Sequence, residues 1–425
     1  MKAPQNDPKV SVVRIAIWHN LPSGGGKRAL HDQVRGLSAR GHYLESWCPP
    51  SADQELLSIG DLVTENIIAL EDFEGRSPRA VAARLVGGGT RIPARLKAMD
   101  RHSQICAQQI NKGGFDVVLG SSSQLLAVTG LARYLSIPTV LYLHEPYRML
   151  YEAQPRLVWA ALPKPERLDL GAVRERLYDA LWVHALRIQA REEVSGAKAY
   201  DRVLANSHFT RESILRAYGI DAAVCYPGVD TDLFFDQGLT RGRLVVGLGA
   251  FIPPKRVEVA IEAVGRISRD RPGLAWVGNC ADRSYMAELV SLANRRRVTF
   301  TPYVGISQEK LCRVLNEAAV MVYAPRLEPF GYAPVEAAAC GLPVVARAEG
   351  GVRETVVNDV TGFLVEDDDE LPVALERVLD DPALAGRMGL GGRERAQSVW
   401  SLSAAIDRLE SHLVEVAAGR RAGGD

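Results

Sequence analysis

Short apolar runs alternate along this chain with longer segments whose apolar residues recur at helical spacing. Residues 10–18 are rich in valine and isoleucine and are followed by Asn20 and Pro22, which predicts a buried strand that ends there. Residues 28–40 carry apolar side chains three and four positions apart and are followed by Gly41, a typical helix terminator. The chain therefore opens with a predicted strand–turn–helix unit.

The same alternation continues through the rest of the chain. Further strands are predicted at residues 116–119, 138–143, 202–205, 223–226, 244–248, 274–277, 298–301, 319–324 and 343–346, and further helices at residues 257–268 and 309–318. Strands without polar–apolar alternation that are separated by helices are typical of a parallel sheet covered on both faces.

The alternation occurs twice, with a polar break near residues 227–240. This predicts an α/β fold of two doubly wound domains. Open sheets of this kind bind ligands at the carboxyl ends of their strands. We therefore expect two facing domains with a ligand in the cleft between them.

The composition agrees with a protein that has two cores. Of its 425 residues 47% are hydrophobic, which excludes disorder as the main state. The 51 basic and 51 acidic side chains cancel, which argues against a protein that coats nucleic acid but leaves room for a small anion site. We find neither a signal peptide nor an apolar run of about 18 residues, so we expect a cytoplasmic protein. The cysteines lack metal-ligand spacing and have mostly apolar neighbours, which predicts buried side chains.

Two candidate sites lie in the N-terminal half. Gly24, Gly25 and Gly26 separate the first strand from the first helix, where a close backbone and a helix N-terminus suit a phosphate, although a tight turn alone would also explain them. His144 follows a predicted strand at the position where α/β folds place ligands, and a structural histidine is the alternative.

The C-terminal half carries the stronger candidates. Lys255 lies at or before a helix start, where a cation opposes the helix dipole, so a bound anion explains it better than a structural role. Glu328 and Glu336 are eight residues apart across a strand–helix junction and could hold hydroxyls at two ends of one ligand. We expect the backbone amides around Phe330 and Gly331 to face the same cleft.

Residues 328–346 resemble the E-x7-E signature of retaining glycosyltransferases with the GT-B fold, specifically glycosyltransferase family 4. Residues 350–354, 362–365 and 226–230 resemble further segments of that family, and Trp400 is similar to the point where its last helix returns to the N-terminal domain. The resemblance covers most of the chain and is most specific in residues 200–400.

The resemblance implies a role for each matching residue. Glu336 would bind the ribose of a nucleotide, Glu328 would contact the donor sugar and the reacting centre, and Lys255 would neutralise the diphosphate. His144 would lie near the transferred sugar and the acceptor. The donor-binding set implied in this way is Gly24, Gly25, Gly26, Lys255, Arg256, Tyr303, Val304, Phe330, Gly331, Tyr332 and Glu336.

The resemblance also implies the domain organisation. The N-terminal, acceptor-side domain would span residues 1–226, with a C-terminal helix at 400–420 packing back on it, and the nucleotide-sugar domain would span residues 227–399. The partners expected are a nucleotide-sugar donor, either GDP-mannose or a UDP-sugar, and a glycan, lipid-linked or small-molecule acceptor. No metal or other cofactor is expected, because protein cations and amides take that role in such enzymes.

Three segments need separate interpretation. The family usually has arginine five residues before the lysine, where this chain has Ala250, and Arg256 or Arg326 could substitute. The acidic residues 366–370 are interpreted as a solvated face that leads into a helix. The basic residues 76–101 could contact an anionic acceptor or a membrane surface, or form an ordinary solvated helix.

Other functions remain open at this stage. A GT-B-shaped sugar-nucleotide epimerase would act without an acceptor, and a phosphorylase would need a pyridoxal-phosphate lysine and usually a longer chain. A degenerate sugar-nucleotide-binding protein would explain Ala250. A dinucleotide-binding dehydrogenase is the weakest alternative, because the first strand–helix turn lacks G-x-G-x-x-G.

Overall fold

The computed structural model describes residues 12–70, 91–152 and 170–421. Within these residues the chain forms two compact units. The first unit comprises Met1–Asn206, Thr210–Cys225 and Arg408–Asp425 as far as they are described, and the second comprises Ser207–Phe209 and Tyr226–Asp407. Of the basic segment 76–101, residues 76–90 lie outside the described part of the chain.

The first unit is built on a parallel sheet of seven strands in the order β3-β2-β1-β4-β5-β6-β7. Its strands are β1 Arg14–Asn20, β2 Tyr43–Cys48, β3 Thr64–Ile67, β4 Val117–Ser123, β5 Thr139–Leu143, β6 Arg202–Ala205 and β7 Ala223–Val224. Its helices are α1 Gly25–Ala39, α2 Arg91–Lys112, α3 Arg148–Tyr151, α4 Leu170–Lys198 and α5 His208–Tyr218, the first two residues of which belong to the second unit, with a 3-10 turn at Leu131–Tyr134.

The second unit is built on a parallel sheet of six strands in the order β10-β9-β8-β11-β12-β13. Its strands are β8 Leu244–Leu248, β9 Gly273–Gly278, β10 Phe300–Val304, β11 Val320–Tyr323, β12 Val344–Arg347 and β13 Gly362–Val365. Its helices are α6 Val257–Arg266, α7 Arg283–Arg296, α8 Gln308–Glu317, α9 Tyr332–Ala339, α10 Val352–Thr355, α11 Leu371–Asp380 and α12 Pro382–Ser398, with 3-10 turns at Pro253–Lys255 and Asp368–Glu370. The last helix, α13 Leu402–Arg421, begins in the second unit and from Arg408 onward belongs to the first.

The central strands of both sheets are covered on both faces, as the uninterrupted apolar runs predict, whereas the edge strands β3 and β10 are partly exposed. In β8, the neighbouring residues Val245 and Val246 are both fully buried but belong to different hydrophobic clusters. Side chains of a strand alternate between the two faces, so each face has its own core. The fold prediction of two parallel α/β domains is confirmed.

The predicted elements are observed with shifted ends. The helix predicted at 28–40 begins earlier, at Gly25, because two of the three glycines form its first turn. β2 and β3 were not predicted, and β3 contains no fully buried residue, so it lacks the apolar run that identified the other strands. Of the six cysteines, all of them free thiols, five are buried as predicted and Cys280 is exposed.

Strand order creates one switch point in each sheet. In the first unit the order reverses between β1 and β4, and in the second unit it reverses between β8 and β11. The connections that leave two such neighbouring strands run to opposite sides of the sheet, which opens a crevice at the carboxyl ends. None of the helices in the described ranges is long and apolar enough to cross a membrane.

Candidate functional site

In the second unit, Lys255 and Glu328 meet at the switch point. Lys255 ends the 3-10 turn that follows β8, and Glu328 lies in the loop that follows β11. The Lys255 Nζ atom donates to both carboxylate oxygens of Glu328, each at 2.9 Å, and both side chains are about three-quarters buried. The sequence disfavoured a structural role for Lys255, because a cation opposes the dipole of the helix that follows it. The structure provides such a role, since the negative charge of Glu328 neutralises the lysine at this position.

The loop that carries Glu328 is held by close backbone packing. Leu327 has a φ of 51°, an unusual conformation for a branched residue that turns the chain just before the carboxylate. A Cβ added to Gly350 would lie 2.5 Å from the Glu328 carbonyl oxygen, and one added to Gly351 would lie 2.3 Å from that of Pro329. The Gly351 N–H donates to the Glu328 carbonyl at 2.8 Å. Because both residues are glycines, the backbone of this segment can pack directly against the backbone of the Glu328 loop.

The helix α9 begins directly after that loop. Its N-cap residue, Gly331, has a φ of 90° and makes no side-chain cap hydrogen bond, and the positive end of the helix dipole lies at this terminus. Glu336 lies one turn further along and is only 3% exposed. Phe330 is buried, with its ring 5.5 Å from that of Trp400, so only its backbone can serve a ligand. Tyr332 packs at 5.2 Å against Phe330.

Tyr303 and Val304 are the last two residues of the edge strand β10. Close backbone contacts between glycines link the end of this strand to the loop that carries Lys255. The next residue, Gly305, donates its N–H to the Gly278 carbonyl at 2.8 Å. A Cβ added to Gly278 would lie 2.7 Å from the Gly249 carbonyl, and one added to Gly249 would lie 3.2 Å from Lys255 Cγ. The carboxyl ends of β10, β9 and β8 therefore lie close together at one edge of the sheet. Tyr303 is half-buried there, and Val304 is exposed.

The two arginines considered as substitutes for the missing family arginine are both ion-paired. Arg256 has a φ of 53° and pairs with Asp368, while Arg326 pairs with Glu349 at 2.8 Å. Arg347 connects the two pairs, at 3.3 Å from Asp368 and 2.9 Å from Glu349. We call these five residues the arginine network. Three cations against two carboxylates leave it with a net positive charge.

Of the acidic residues 366–370, four are exposed, as expected for a solvated face, and Asp368 alone belongs to that network. Asp368 is less than one-third exposed and is paired with two arginines. Burial alone would raise the pKa of Asp368, but the hydrogen bond and charge of Arg256, with those of Arg347, hold it below its usual value. The segment does lead into a helix as predicted, through the 3-10 turn that precedes α11.

In the first unit, the glycine turn and His144 lie together. Gly24 has a φ of 147°, which only glycine tolerates well, and Gly25 and Gly26 begin α1. A Cβ added to Gly26 would lie 3.4 Å from the His144 ring. The structure therefore brings the predicted glycine and histidine sites of this unit into one place.

His144 is held in a neutral state by its surroundings. Desolvation by the surrounding protein lowers its pKa to about 4. Its backbone carbonyl accepts from Asn206 Nδ2 at 3.1 Å, and its N–H donates to Ser122 Oγ at 3.0 Å. The ring atom Nε2 has no hydrogen-bond partner among the described residues. His144 therefore offers an uncharged hydrogen-bonding group rather than a cation.

Sequence reasoning missed three supporting residues. Ser122 and Asn206 fix the backbone of His144, and Glu354 accepts hydrogen bonds from the N–H groups of His208 and Phe209, both at 2.9 Å. Ser122 stands in a run of serines that was noticed only because it interrupts an apolar stretch. No local pattern links Glu354 to residues about 146 positions away, so only the folded chain identifies its role.

The arrangement in the second unit suits an anionic ligand that also carries hydroxyl groups. A lysine, a helix N-terminus and the arginine network supply positive potential. Glu328 and Glu336 supply acceptors for hydroxyl hydrogens. A phosphorylated sugar or nucleotide has both features.

Two family models match nearly the whole chain. The model described as "Glycosyl transferases group 1" matches residues 230–395, and the model described as "Glycosyltransferase Family 4" matches residues 23–233. Both Lys255 and the E-x7-E pair lie inside the first match, while the glycine turn and His144 lie inside the second.

Curated relatives match about half of the chain. A D-inositol 3-phosphate glycosyltransferase from Streptomyces avermitilis is 30% identical over 54% of this chain and 55% of its own length. A GDP-mannose-dependent alpha-(1-6)-phosphatidylinositol monomannoside mannosyltransferase from Mycolicibacterium smegmatis is 31% identical over 51% of this chain and 61% of its own length. The chain thus spans between half and two-thirds of the length of these relatives.

Solved structures match over almost the full chain. HepE from Anabaena, in complex with UDP and glucose, has a TM-score of 0.68 at 16% identity, over 95% of this chain and 100% of that chain. Sucrose-phosphate synthase from Thermosynechococcus elongatus has a TM-score of 0.68 at 20% identity, over 96% and 100% of the two chains. At such identities the likeness shows the fold, which is that of the GT-B glycosyltransferases.

Proposed function

Because the chain belongs to glycosyltransferase family 4, we propose that it transfers a hexose, with retention of configuration, from a nucleotide-diphosphate sugar to an acceptor. The donor is GDP-mannose or a UDP-sugar, and the acceptor is a glycan, a lipid-linked sugar or a small molecule. The observation that carries this proposal is the Lys255–Glu328 pair at the switch point of the second unit.

Two comparisons support a nucleotide-sugar donor. The relative from Mycolicibacterium smegmatis is described as GDP-mannose-dependent, and the HepE structure contains UDP and glucose. The relatives named above act on an inositol phosphate or a phosphatidylinositol mannoside, which are different acceptors. The comparisons therefore support the donor class more strongly than any one acceptor.

The proposed chemistry follows from charge development at the two ends of the broken bond. The leaving nucleoside diphosphate gains negative charge, which Lys255 and the N–H groups at Gly331 are placed to stabilise. The sugar becomes oxocarbenium-like, and the Glu328 carboxylate stabilises that positive charge. Glu336 accepts from the ribose hydroxyls. In this proposal the diphosphate competes with Glu328 for Lys255, and no metal is assigned to it.

The first unit is assigned to the acceptor side and to support of the donor. Since the pKa of His144 is lowered to about 4, its imidazole is neutral at neutral pH and can exchange hydrogen bonds with sugar hydroxyls. The amides of Gly24, Gly25 and Gly26 at the start of α1 would support the diphosphate, as the family resemblance implies.

A second candidate function is sugar-nucleotide binding without transfer. Ala250 stands where the family has arginine, and the two possible substitutes are engaged by Asp368 and Glu349. A weaker hold on the diphosphate would follow if the arginine network cannot supply a second cation. This candidate predicts donor binding without release of nucleoside diphosphate.

We also propose that the protein acts in the cytoplasm, with peripheral membrane contact through residues 76–101. Of this segment the structure describes only 91–101, the first half of α2. Arg101 is exposed there, while Leu96 and Met99 are buried in the first unit, so this half turns its apolar side inward. Any membrane contact made by the described half therefore depends on its basic side chains. Co-sedimentation of the protein with liposomes that does not increase with their content of anionic lipid would contradict this proposal.

The deciding experiment incubates the protein with a panel of nucleotide sugars, with and without acceptors, and measures released nucleoside diphosphate. Transfer predicts release that depends on one donor, and loss of at least about 100-fold in both Lys255→Ala and Glu336→Ala, since each removes a charged contact to the donor. Isomerised sugar nucleotide would indicate an epimerase instead. Unchanged turnover in both variants would show that the site is wrongly assigned.

The matched control is Lys112→Ala. Lys112 is an exposed lysine at the end of α2 in the first unit, outside the set of proposed site residues. We expect this variant to keep its activity within about twofold, because the loss of an exposed charge away from the switch point costs little.

A further inference from the structure

A cluster of metal-ligating side chains lies in the first unit, apart from every residue assigned above. His19, Cys48 and Glu65 each offer one ligand atom, and these atoms all lie within 4.8 Å of one another. We call these three residues the β1–β3 triad, because they come from the three neighbouring strands at one side of the sheet. No role in glycosyl transfer has been assigned to them.

Strand register brings the triad together. β1 and β2 pair in parallel up to the residues just before His19 and Cys48, so these two side chains stand side by side. β2 and β3 pair Ser46 with Glu65. Since alternate residues of a strand share a face, Ser46 and Cys48 point the same way, and Glu65 joins them on that face. The arrangement is thus a property of the sheet and does not depend on a loop.

The triad contains a deeply buried polar atom without a partner. His19 is fully buried, and its Nε2 lies 2.9 Å from Glu65 Oε1, whereas its Nδ1 has no hydrogen-bond partner in the described parts of the chain. The Cys48 thiol is also fully buried, with Gln54 Nε2 at 3.5 Å. Buried polar groups are normally satisfied, so a further group is expected at this place.

The surrounding charges favour a cation. Lys27 is the nearby positive group, and Glu65 and Asp53 are the negative groups that interact with it. With a neutral imidazole and a protonated thiol, the sum is one negative charge. A divalent ion that displaces the thiol proton adds two positive charges and one negative charge, which brings the sum to zero.

We propose that His19, Cys48 and Glu65 bind a zinc ion. Imidazole, thiolate and carboxylate are the three ligand types that zinc takes in proteins, and three protein ligands leave a fourth, water-filled position. At ligand distances of about 2.0–2.3 Å, tetrahedral ligand atoms lie roughly 3.3–3.8 Å apart, which small side-chain movements reach from the observed spacing. On binding, the ion takes the unpartnered Nδ1 atom of His19, the Cys48 sulfur and a carboxylate oxygen of Glu65, and Cys48 releases its proton to solvent.

Lys27 provides an internal check on this assignment. Its Nζ is fully buried, has no hydrogen-bond partner among the described residues and interacts with Glu65. An ammonium beside a divalent ion weakens its binding by charge repulsion. Lys27→Met, which keeps the length of the side chain and removes its charge, should therefore bind zinc several-fold more tightly than the wild type.

The test measures zinc in the untagged full-length protein after loading and dialysis. We expect about one zinc ion per chain, one sulfur ligand at about 2.3 Å by X-ray absorption, and an affinity that falls at least about tenfold in Cys48→Ser and in Glu65→Gln. The control is Cys225→Ser, which changes another fully buried thiol of the same unit and should leave zinc binding unchanged.

Circular dichroism accompanies each variant, so that a folding defect is not mistaken for a lost ligand. Fewer than about a tenth of an ion per wild-type chain would overturn the proposal, and so would equal binding by Cys48→Ser and the wild type. Weaker binding by Lys27→Met than by the wild type would show that the ion lies elsewhere. None of these results depends on whether the protein transfers sugars.

Discussion

At the scale of single residues, the most informative feature is the pairing of Lys255 with Glu328. One carboxylate takes both of its hydrogen bonds from the same ammonium, so the two proposed catalytic-site charges hold each other in position. An ion pair that is about three-quarters buried aligns its members more than it stabilises the fold, because the cost of desolvating both charges offsets their attraction. We infer that Glu328 has two roles, which are to stabilise charge on the sugar and to orient Lys255.

These two roles predict the effect of Glu328→Gln. An amide of the same shape keeps the packing but loses the negative charge, so we expect kcat to fall by roughly 10²–10³ while the protein melts within a few degrees of the wild type. Donor turnover and thermal unfolding measure the two quantities. Glu317→Gln, which removes an exposed carboxylate paired with Arg313, is the control and should leave both unchanged. Wild-type kcat in Glu328→Gln would remove Glu328 from the catalytic site.

At the scale of elements, the site depends on how closely two loops approach. The Gly350–Gly351 segment leads into α10 and lies against the backbone of the Glu328 loop, which leads into α9. No side chain fits between these backbones. Backbone packing therefore positions the starts of α9 and α10, and with them the loop that holds the Glu328 carboxylate.

Gly350→Ala tests this packing. The new Cβ would lie 2.5 Å from the Glu328 carbonyl oxygen, so the loop must shift, and we expect donor turnover to fall at least about tenfold. Because Gly350 has a φ of 67°, alanine also adds backbone strain of about 1–2 kcal/mol.

Gly238→Ala separates the two effects. Gly238 has nearly the same φ, 65°, but a Cβ there meets nothing within 4 Å. This control should lose stability through backbone strain and keep its turnover. Equal turnover losses in the two alanine variants would show that strain, rather than the approach of the loops, accounts for the effect.

At the scale of the whole molecule, each unit has its own sheet and its own buried polar groups. In the first unit, Glu193 of α4 is fully buried and accepts from the Ala127 N–H at 3.2 Å, Gln189 Nε2 at 3.0 Å and the Tyr218 hydroxyl at 3.0 Å. It therefore joins α4 to a loop after β4 and to α5. Burial outweighs these hydrogen bonds and raises the pKa of Glu193 to about 7.

This raised pKa predicts a pH-dependent stability. Between its ordinary value near 4.5 and about 7, the folded state keeps a proton that the unfolded state loses, so the free energy of unfolding falls as pH rises through that window. Glu193→Gln stays uncharged and should remove that slope. We expect the stability difference, wild type minus variant, to be larger at pH 5 than at pH 7.5 by an amount on the order of 2–3 kcal/mol.

Urea unfolding of the full-length protein at both pH values measures this difference. Glu212→Gln changes an exposed carboxylate on α5 and should show the same difference at both pH values. A pH-independent difference for Glu193→Gln would mean that Glu193 is ionised in the folded protein throughout the range.

The amino-acid sequence alone determined the class of the fold and the elements that carry the chemistry. Apolar runs and helical spacing report which positions are buried, and that local information was enough for the two α/β repeats, for His144 after a strand and for the E-x7-E pair. β3 was missed because its four residues contain no apolar run. Motif resemblance supplied roles that no periodicity could provide.

Only the tertiary structure decided which residues meet. The order β10-β9-β8-β11-β12-β13 places the end of β8 beside that of β11, so that Lys255 reaches a carboxylate 73 positions away in the chain. The same applies to the arginine network and to the β1–β3 triad, whose members are far apart in sequence. Local patterns depend on burial within one element, whereas these contacts depend on strand order and register, which arise from packing between elements.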